Sequence, residues 1–286
     1  MTSQSLNLLA ELPEDRATGV VAAIYDDIRR CSGVPYVSSL QRYLATMPGV
    51  LEWAWAALQP AMRSGAIPQT GWRLAENVHC QPLTPVVAEM LLRWGIDALD
   101  LAAIRNVAAN FYRVSPVNLM TGACLKLLLT GPAPTGSGFD TQWTPPDPLP
   151  PMPGNRDPLT LPADQRAVLL RFATEVDGTQ FVPALYRQLA HWPRLLGWLA
   201  DELVPQLSAP ATNIARTAFR AAAIEAAPAI VARLPGLPAL PAPDVETARR
   251  VLAAIDRYAG TSPEMTMFGR SLLNALPEGY PQRQAG

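Results

Sequence analysis

Apolar residues recur every three or four positions along most of the chain, which is the period of an α-helix that buries one face. The clearest run is Leu40, Leu44, Met47 and Leu51. Three later segments carry alanine, leucine, arginine and glutamate at helical spacing: residues 164–176, 212–233 and 244–259. No segment reads as a set of alternating strands. The pattern therefore predicts an all-α fold.

Two parts of the chain match each other without gaps at a shift of 145 residues. Residues 37–60, VSSLQRYLATMPGVLEWAWAALQP, align with residues 182–205, VPALYRQLAHWPRLLGWLADELVP, and ten of 24 positions are identical. A second pair of segments, beginning at Ser115 and Ser262, aligns at a shift of 147. Because the shift changes so little, the sequence indicates one helical unit present twice.

The chain between the two copies is rich in proline. Residues 131–163, GPAPTGSGFDTQWTPPDPLPPMPGNRDPLTLPA, carry too many prolines for a helix or a central strand. We expect an extended, exposed linker that Trp143 anchors on a domain surface. The predicted organisation is helical repeat 1 over residues 1–130, the linker, and helical repeat 2 over residues 164–286. Such a pseudo-dimer commonly holds its ligand between the copies.

Proline also predicts where helices begin. Pro48 and Pro193 should each lie in the first turn of a new helix. The Ser-Pro pairs at 115–116 and 262–263 each read as an N-cap followed by proline at the first helical position. Glu264 would then lie in a first turn, where an acidic residue complements the helix dipole.

Composition and charge disfavour several classes of protein. Hydrophobic residues make up 49% of the chain and charged residues only 16%, which suggests extensive internal packing or a self-associating surface, so a homodimer is an expectation. The net charge of −1 gives no basic surface for nucleic acid or an anionic membrane. No apolar run approaches the ~20 residues of a membrane span. Early acidic residues disfavour a signal peptide, and three scattered cysteines disfavour a disulfide framework, so we expect a cytoplasmic protein.

Few residues are candidates for chemistry. His79 and His191 are the only histidines, and neither has a partner at metal-ligand spacing. The chain lacks CxxC, GxSxG, GxxxxGK and GxGxxG, so we predict neither a metal nor a cofactor. The acids that are candidates for a general base are Asp26, Asp27, Glu175, Asp177 and Glu264, and Glu264 is the most interesting of them.

Three segments together resemble the group I 2-haloacid dehalogenases, which act on either stereoisomer of a 2-haloacid. They are IYDDIRRCSGVPYVSSLQRYLATMPGVLEWAW, NFYRVSPVNLM and YRQLAHWPRLL, and the resemblance runs from about residue 20 to the C-terminus. It implies an all-helical pseudo-dimer related to the AhpD-like fold, with a pocket between the halves. It also implies hydrolysis without a covalent intermediate, in which an aspartate activates the water that displaces halide.

The resemblance implies the positions of pocket residues, and several of them differ from the family pattern. The family motif V-x-x-D-Y-R-x-L-A-x-W-P reads VPALYRQLAHWP here, so its aspartate falls on Leu185, after Pro183 and Ala184. Leucine cannot accept a proton from water. Family positions for asparagine, tyrosine, tryptophan and two further pocket residues fall on Ser115, Asn118, Tyr36, Ser38 and Ser39.

Three hypotheses follow. In the first, the chain is a relative that binds a small organic acid between its repeats but does not remove halide. In the second, it is an active hydrolytic dehalogenase with a relocated carboxylate base, for example Glu264. In the third, it serves as a structural or interaction partner with a vestigial pocket. Loss of a general base typically lowers the rate by ~10²–10⁴, which disfavours the second hypothesis.

Overall fold

The computed structural model describes residues 10–140, 143–176 and 179–280. These residues form helices joined by loops and by the extended proline-rich linker, with one two-stranded hairpin, so the prediction of an all-α fold is confirmed. The helices are α1 Gly19–Ser32, α2 Ser39–Leu44, α3 Val50–Arg63, α4 Ala66–Glu76, α5 Ala88–Trp94, α6 Ala98–Thr130, α7 Ala163–Leu170, α8 Ala184–Leu189, α9 Pro193–Leu207, α10 Pro210–Val231 and α11 Val245–Ala275. The antiparallel strands are β1 Thr174–Val176 and β2 Thr179–Phe181. Helix was predicted through residue 176, which is wrong where β1 pairs with β2.

Helices α6 and α11 are far longer than the sequence predicts. Each begins at an aspartate whose carboxylate accepts a backbone N–H, from Asp100 to Asp97 at 2.8 Å and from Thr247 to Asp244 at 2.7 Å. The predicted helix starts at the two Ser-Pro pairs are therefore wrong.

Pro116 and Pro263 instead lie inside these helices, because close packing on both sides outweighs the one hydrogen bond that a proline removes. Glu264 consequently lies in mid-helix, and the interpretation that it complements a first-turn dipole is wrong. Pro193 does begin α9, as predicted. Pro48 precedes α3 by two residues, because Gly49 caps that helix with a φ of +75°.

The order of helices fits the predicted duplication, which stays a prediction. Helices α2, α3 and α6 are followed along the chain by α8, α9 and α11 at nearly constant offsets. However, the hydrophobic cores do not follow the two sequence halves. The first core joins α1–α4 and the C-terminal part of α6 to α10 and the N-terminal part of α11. The second core joins α7–α9 and the C-terminal part of α11 to α5 and the N-terminal part of α6. The halves therefore interlock through α6 and α11.

The proline-rich linker is extended where the structure describes it, apart from a 3-10 turn at Pro158–Thr160. As predicted, Trp143 packs on a domain surface, where its ring lies 6.1 Å from that of Trp72. The backbone N–H of Leu149 donates to the carbonyl of Gly33 at 3.1 Å, so the linker is also fixed further along. Within the described ranges, no helix has the length and apolar character needed to cross a bilayer.

Candidate functional site

A cavity of about 600 Å³ lies where the middles of α6 and α11 meet the starts of α2 and α8. Proline-rich linker residues 151–155 form one of its walls. This volume falls within the range of ~300–1,000 Å³ that is typical of small-molecule sites. The cavity is therefore the candidate site to which the predicted pocket residues can be compared.

The two sequence halves contribute matching positions to the lining. Residues related by the shifts of 145 and 147 lie at the cavity together in eight cases. The pairs are Tyr36 and Phe181, Ser38 and Pro183, Ser39 and Ala184, Arg42 and Arg187, Phe111 and Tyr258, Val114 and Thr261, Ser115 and Ser262, and Asn118 and Met265. Matching positions of the two aligned sequence segments thus contribute to one lining.

Most of the predicted pocket residues line this cavity. They are Tyr36, Ser38, Ser39, Ser115, Asn118, Pro183 and Ala184. Leu185 does not line it, because this side chain is 1% exposed and packs in the second core. On α8, Ala184, Arg187 and Gln188 face the cavity, which leaves the intervening Leu185 on the core side of the helix.

This orientation changes the comparison with the aspartate motif. An aspartate side chain at the start of α8 would reach the cavity from position 184 rather than from position 185. Neither residue carries a titratable group, so α8 supplies no carboxylate to the cavity in either register.

Glu264 does not line the cavity. Its carboxylate is buried beside α8 and α10, where the Tyr186 hydroxyl donates to Oε1 at 2.9 Å and Arg216 Nη2 lies 2.9 Å from Oε2. Burial raises the pKa of the Glu264 carboxyl above its ordinary value, although Arg216 and Tyr186 act in the opposite direction. Glu175 is exposed on β1, and Asp177 lies outside the described residues.

Two carboxylates that the sequence reasoning did not consider do line the cavity. Glu11 and Glu14 come from the segment before α1. Glu11 Oε2 lies 2.6 Å from Arg42 Nη2. Glu14 forms an ion pair with Arg29 and accepts the backbone N–H of Val37 at 3.0 Å. Both carboxylates are therefore already engaged by protein donors.

Three arginines complete the charged lining, so that it carries a net charge of +1: Arg42, Arg187 and Arg257. Arg187 Nε donates to the carbonyl of Arg156 at 3.1 Å. Among the described residues, no carboxylate lies within 4.0 Å of the Arg187 guanidinium. Burial lowers the pKa of Arg187 because desolvation disfavours its charged form. Arg42 and Arg187 thus occupy equivalent positions but differ in their partners.

Hydroxyl groups provide the remaining polar surface. Burial raises the pKa of Tyr36 and also that of Tyr258, so both phenols stay protonated at neutral pH and can donate hydrogen bonds. Two buried polar atoms of the lining residues, Arg42 Nε and Gln188 Oε1, have no hydrogen-bond partner in the described part of the chain. Buried polar atoms are usually paired. The lining therefore has one donor and one acceptor, at these two atoms, that no described residue uses.

The linker wall is held by side chains from both halves. Asn106 Nδ2 donates to the carbonyls of Pro150 and Pro151 at 2.9 Å each. Exposed His191 contacts the carbonyl of Gly154 through Nε2 at 2.9 Å, and the Arg156 backbone N–H donates to the carbonyl of Arg187 at 3.1 Å. In the described ranges, no group of three or more histidine, cysteine, aspartate or glutamate side chains could hold a metal ion.

Comparisons with known proteins give a consistent result at the level of the fold. Solved structures of D-2-haloacid dehalogenase, one a mutant in complex with D-2-CPA and one in complex with L-LA, superpose with a TM-score of 0.68. Each is 20% identical, and the match covers 93% of this chain and 96% of that chain. The fold is that of D-2-haloacid dehalogenase.

Sequence similarity points the same way. A protein described as a configuration-inverting 2-haloacid dehalogenase, from Alcaligenes xylosoxydans xylosoxydans, is 27% identical over 206 residues, which is 68% of either chain. No family model matches the chain. The chain is therefore similar to 2-haloacid dehalogenases, while its placement in group I and the AhpD-like relation stay predictions.

Sequence reasoning missed the charged part of the lining. The identity of Arg42 and Arg187 in the repeat was a usable signal, because a charged residue kept at one position of both copies needs a reason beyond core packing. Glu11 and Glu14 precede the repeat and carry no pattern that points to a cavity. The linker wall likewise depends on tertiary contacts that proline content does not reveal.

Proposed function

We propose that the chain binds a small organic carboxylate in the cavity between its two halves, and that it does not displace halide by the aspartate route. The observation that carries the proposal is the pair of equivalent arginines, Arg42 and Arg187, at a cavity of about 600 Å³. Arginine binds carboxylates through paired N–H donors. The tyrosine and serine hydroxyls of the lining add further donors for the same anion.

We do not assign the relatives' activity to this chain, because α8 carries no carboxylate at the positions where a base is expected. Hydrolytic displacement needs a carboxylate that can remove a proton from water. Helix α8 offers Ala184 and Leu185 at the relevant positions, and Glu264 lies in the core, bound to Arg216. The similarity to 2-haloacid dehalogenases therefore supports the shape of the site and the acidic class of ligand more than it supports the reaction.

The alternative, an active hydrolytic dehalogenase with a relocated base, has one observation in its favour. Glu11 and Glu14 place carboxylates at the cavity. Their ion pairs with Arg42 and Arg29 occupy carboxylate oxygens that would have to bind water. We therefore rank this alternative second. The hypothesis of a vestigial pocket ranks third, because a cavity of this volume is not filled by side chains.

Equilibrium binding and chloride release distinguish these functions. We expect calorimetry to detect binding of racemic 2-chloropropionate and of lactate, without release of chloride from 2-chloropropionate. Chloride release at a rate that Glu11→Gln abolishes would instead establish the relocated base. If no carboxylate bound at millimolar concentration, the proposed function would be wrong.

A cavity-filling variant locates the binding. Ala184→Trp places a large side chain in the cavity, whereas Ala167→Trp places the same side chain on the exposed face of α7. Binding should be lost in the first variant and kept in the second. Equal binding by both variants would place the ligand elsewhere on the protein.

A further inference from the structure

We propose that the ligand of this cavity is a monocarboxylate with a long apolar body, and that its carboxylate binds Arg187 rather than Arg42. The inference rests on the proposed function and specifies the class and orientation of the ligand. Three features of the described residues carry it: the unequal neutralisation of the two arginines, the apolar wall, and the cavity volume.

The two equivalent arginines differ in the anion that each already binds. Arg42 has the carboxylate of Glu11 at 2.6 Å. Arg187 is half-buried and has no carboxylate within 4.0 Å among the described residues, so Asp157 and Glu11 act on it only from a greater distance. A partly buried cation without a directly bound anion gains more from an incoming carboxylate than one that is already paired. Arg187 is therefore the anion-binding end of the cavity.

Ion pairs already present in the lining favour a ligand with one carboxylate. Each lining glutamate is paired with an arginine, Glu11 with Arg42 and Glu14 with Arg29. A second carboxylate at Arg42 would have to displace Glu11. Glu11 is held in place because the neighbouring Leu12 N–H donates to the Arg42 carbonyl at 3.0 Å and the Tyr25 hydroxyl donates to the Leu12 carbonyl at 3.2 Å.

Beside its serine, threonine and amide side chains, the lining also has an apolar part. Phe111 and Phe181 come from opposite halves, and the rings of Tyr36 and Phe111 lie 6.2 Å apart. Met152 of the linker and Met265 of α11 add flexible thioether side chains, which adapt to ligands of different shape. Such a surface contributes little to binding a three-carbon acid but favours an alkyl chain or an aryl group.

The volume is also larger than a three-carbon acid requires. A water molecule takes up roughly 30 Å³, so a cavity of about 600 Å³ holds on the order of twenty atoms or groups of that size. A 2-chloropropionate ion, with only about six non-hydrogen atoms by comparison, leaves most of that space to water. Each additional buried methylene should tighten binding about fourfold, which corresponds to about 0.8 kcal/mol.

A series of ligands tests the class. We expect octanoate to bind at least tenfold more tightly than butanoate, and octan-1-ol to bind more weakly than octanoate because it lacks the charge. If octanoate gained nothing over butanoate, the proposed class would be wrong while the proposed function stood. If none of these acids bound, both proposals would fall.

Variants of the charged residues test the orientation. Arg187→Met should weaken octanoate binding by about ten- to a hundredfold, since a hydrogen-bonded charge pair is lost. Arg73→Met, which removes the same charge from the exposed face of α4, is the matched control and should leave binding unchanged. Equal affinities in these two variants would overturn the assignment of Arg187. Arg187→Gln serves the same comparison if the methionine variant does not fold.

Glu11→Gln provides an independent test. It frees Arg42 to accept a second carboxylate, so octanedioate should bind this variant at least tenfold more tightly than it binds the wild-type protein. Octanoate should change much less, because its carboxylate remains at Arg187. If octanedioate bound both proteins equally, Glu11 would not determine the preference for one carboxylate, and the monocarboxylate class would be refuted.

Discussion

Substitution of Leu185 by aspartate tests the orientation of the first turn of α8. The Leu185 side chain is 1% exposed and packs in the second core, whereas the neighbouring Ala184 is half-buried at the cavity. The same new carboxylate would therefore meet opposite surroundings at two adjacent positions. Comparison of Leu185→Asp with Ala184→Asp isolates this difference, because the charge change is identical.

The expected magnitudes follow from burial. Loss of a buried leucine side chain costs about 2–5 kcal/mol in free energy of unfolding. An aspartate at position 185 adds the cost of a buried carboxylate without a partner, so we expect at least about 5 kcal/mol, comparable with the whole stability of many domains. Ala184→Asp should change stability by no more than about 1 kcal/mol, since an acid at the first position of a helix is favoured. Leu185→Ala measures the leucine contribution alone.

Urea denaturation followed by circular dichroism at pH 7 measures these differences. The reasoning would be refuted if Leu185→Asp were as stable as Ala184→Asp, because position 185 would then face the cavity. Chloride release from racemic 2-chloropropionate gives a functional readout for the same pair. We expect detectable release only with Ala184→Asp, whose carboxylate can contact water in the cavity.

Two further predictions concern packing and pH. Gly71→Ala should destabilise the protein by about 1–3 kcal/mol, because a Cβ on α4 would lie 2.7 Å from the carbonyl oxygen of Pro116. Gly197→Ala on α9, where nothing lies within 4 Å of the added Cβ, should instead stabilise it by about 0.5–1 kcal/mol; thermal unfolding of both variants checks the contrast. Burial raises the pKa of Glu264 in the folded protein above its ordinary value of 4.5. The contribution of this group to the free energy of unfolding is therefore lost as the pH rises from 4.5 through the raised pKa. Urea unfolding at several pH values should show that the stability of Glu264→Gln rises relative to that of the wild-type protein across this window, and a constant difference would contradict the prediction.

The sequence predicted the elements that depend on local pattern and on repetition. Helical periodicity identified the fold class, and the equivalence of Ser115 with Ser262 led to positions that now lie together at the cavity. Resemblance to a known family proposed eight pocket residues, and all of them except Leu185 line the cavity. The fold class can be predicted because burial of one helix face leaves a regular trace along a chain. The duplication and the roles of the lining residues stay predictions.

The failures have a common physical cause. Proline after serine is a local signal for a helix start, but tertiary packing keeps α6 continuous through Pro116. An alignment places a motif only to within one residue. One residue along a helix turns the side chain by about 100°. A shift of that size is enough to align the family's aspartate with Leu185, whose side chain faces the core. The ion pair of Glu11 with Arg42 joins segments with no shared pattern, so only the folded chain reveals it.

The interlocked cores have a consequence for how this protein can be divided. A fragment that ended at residue 130 would expose the face of α6 that carries Leu101, Ile104 and Phe111, since α8 and the C-terminal part of α11 pack there. A fragment that began at residue 164 would leave Phe219 and Ile255 without the helices that bury them. We therefore expect neither half to fold by itself, even though each has the length of a domain. We also expect the candidate site to form only when the whole chain folds.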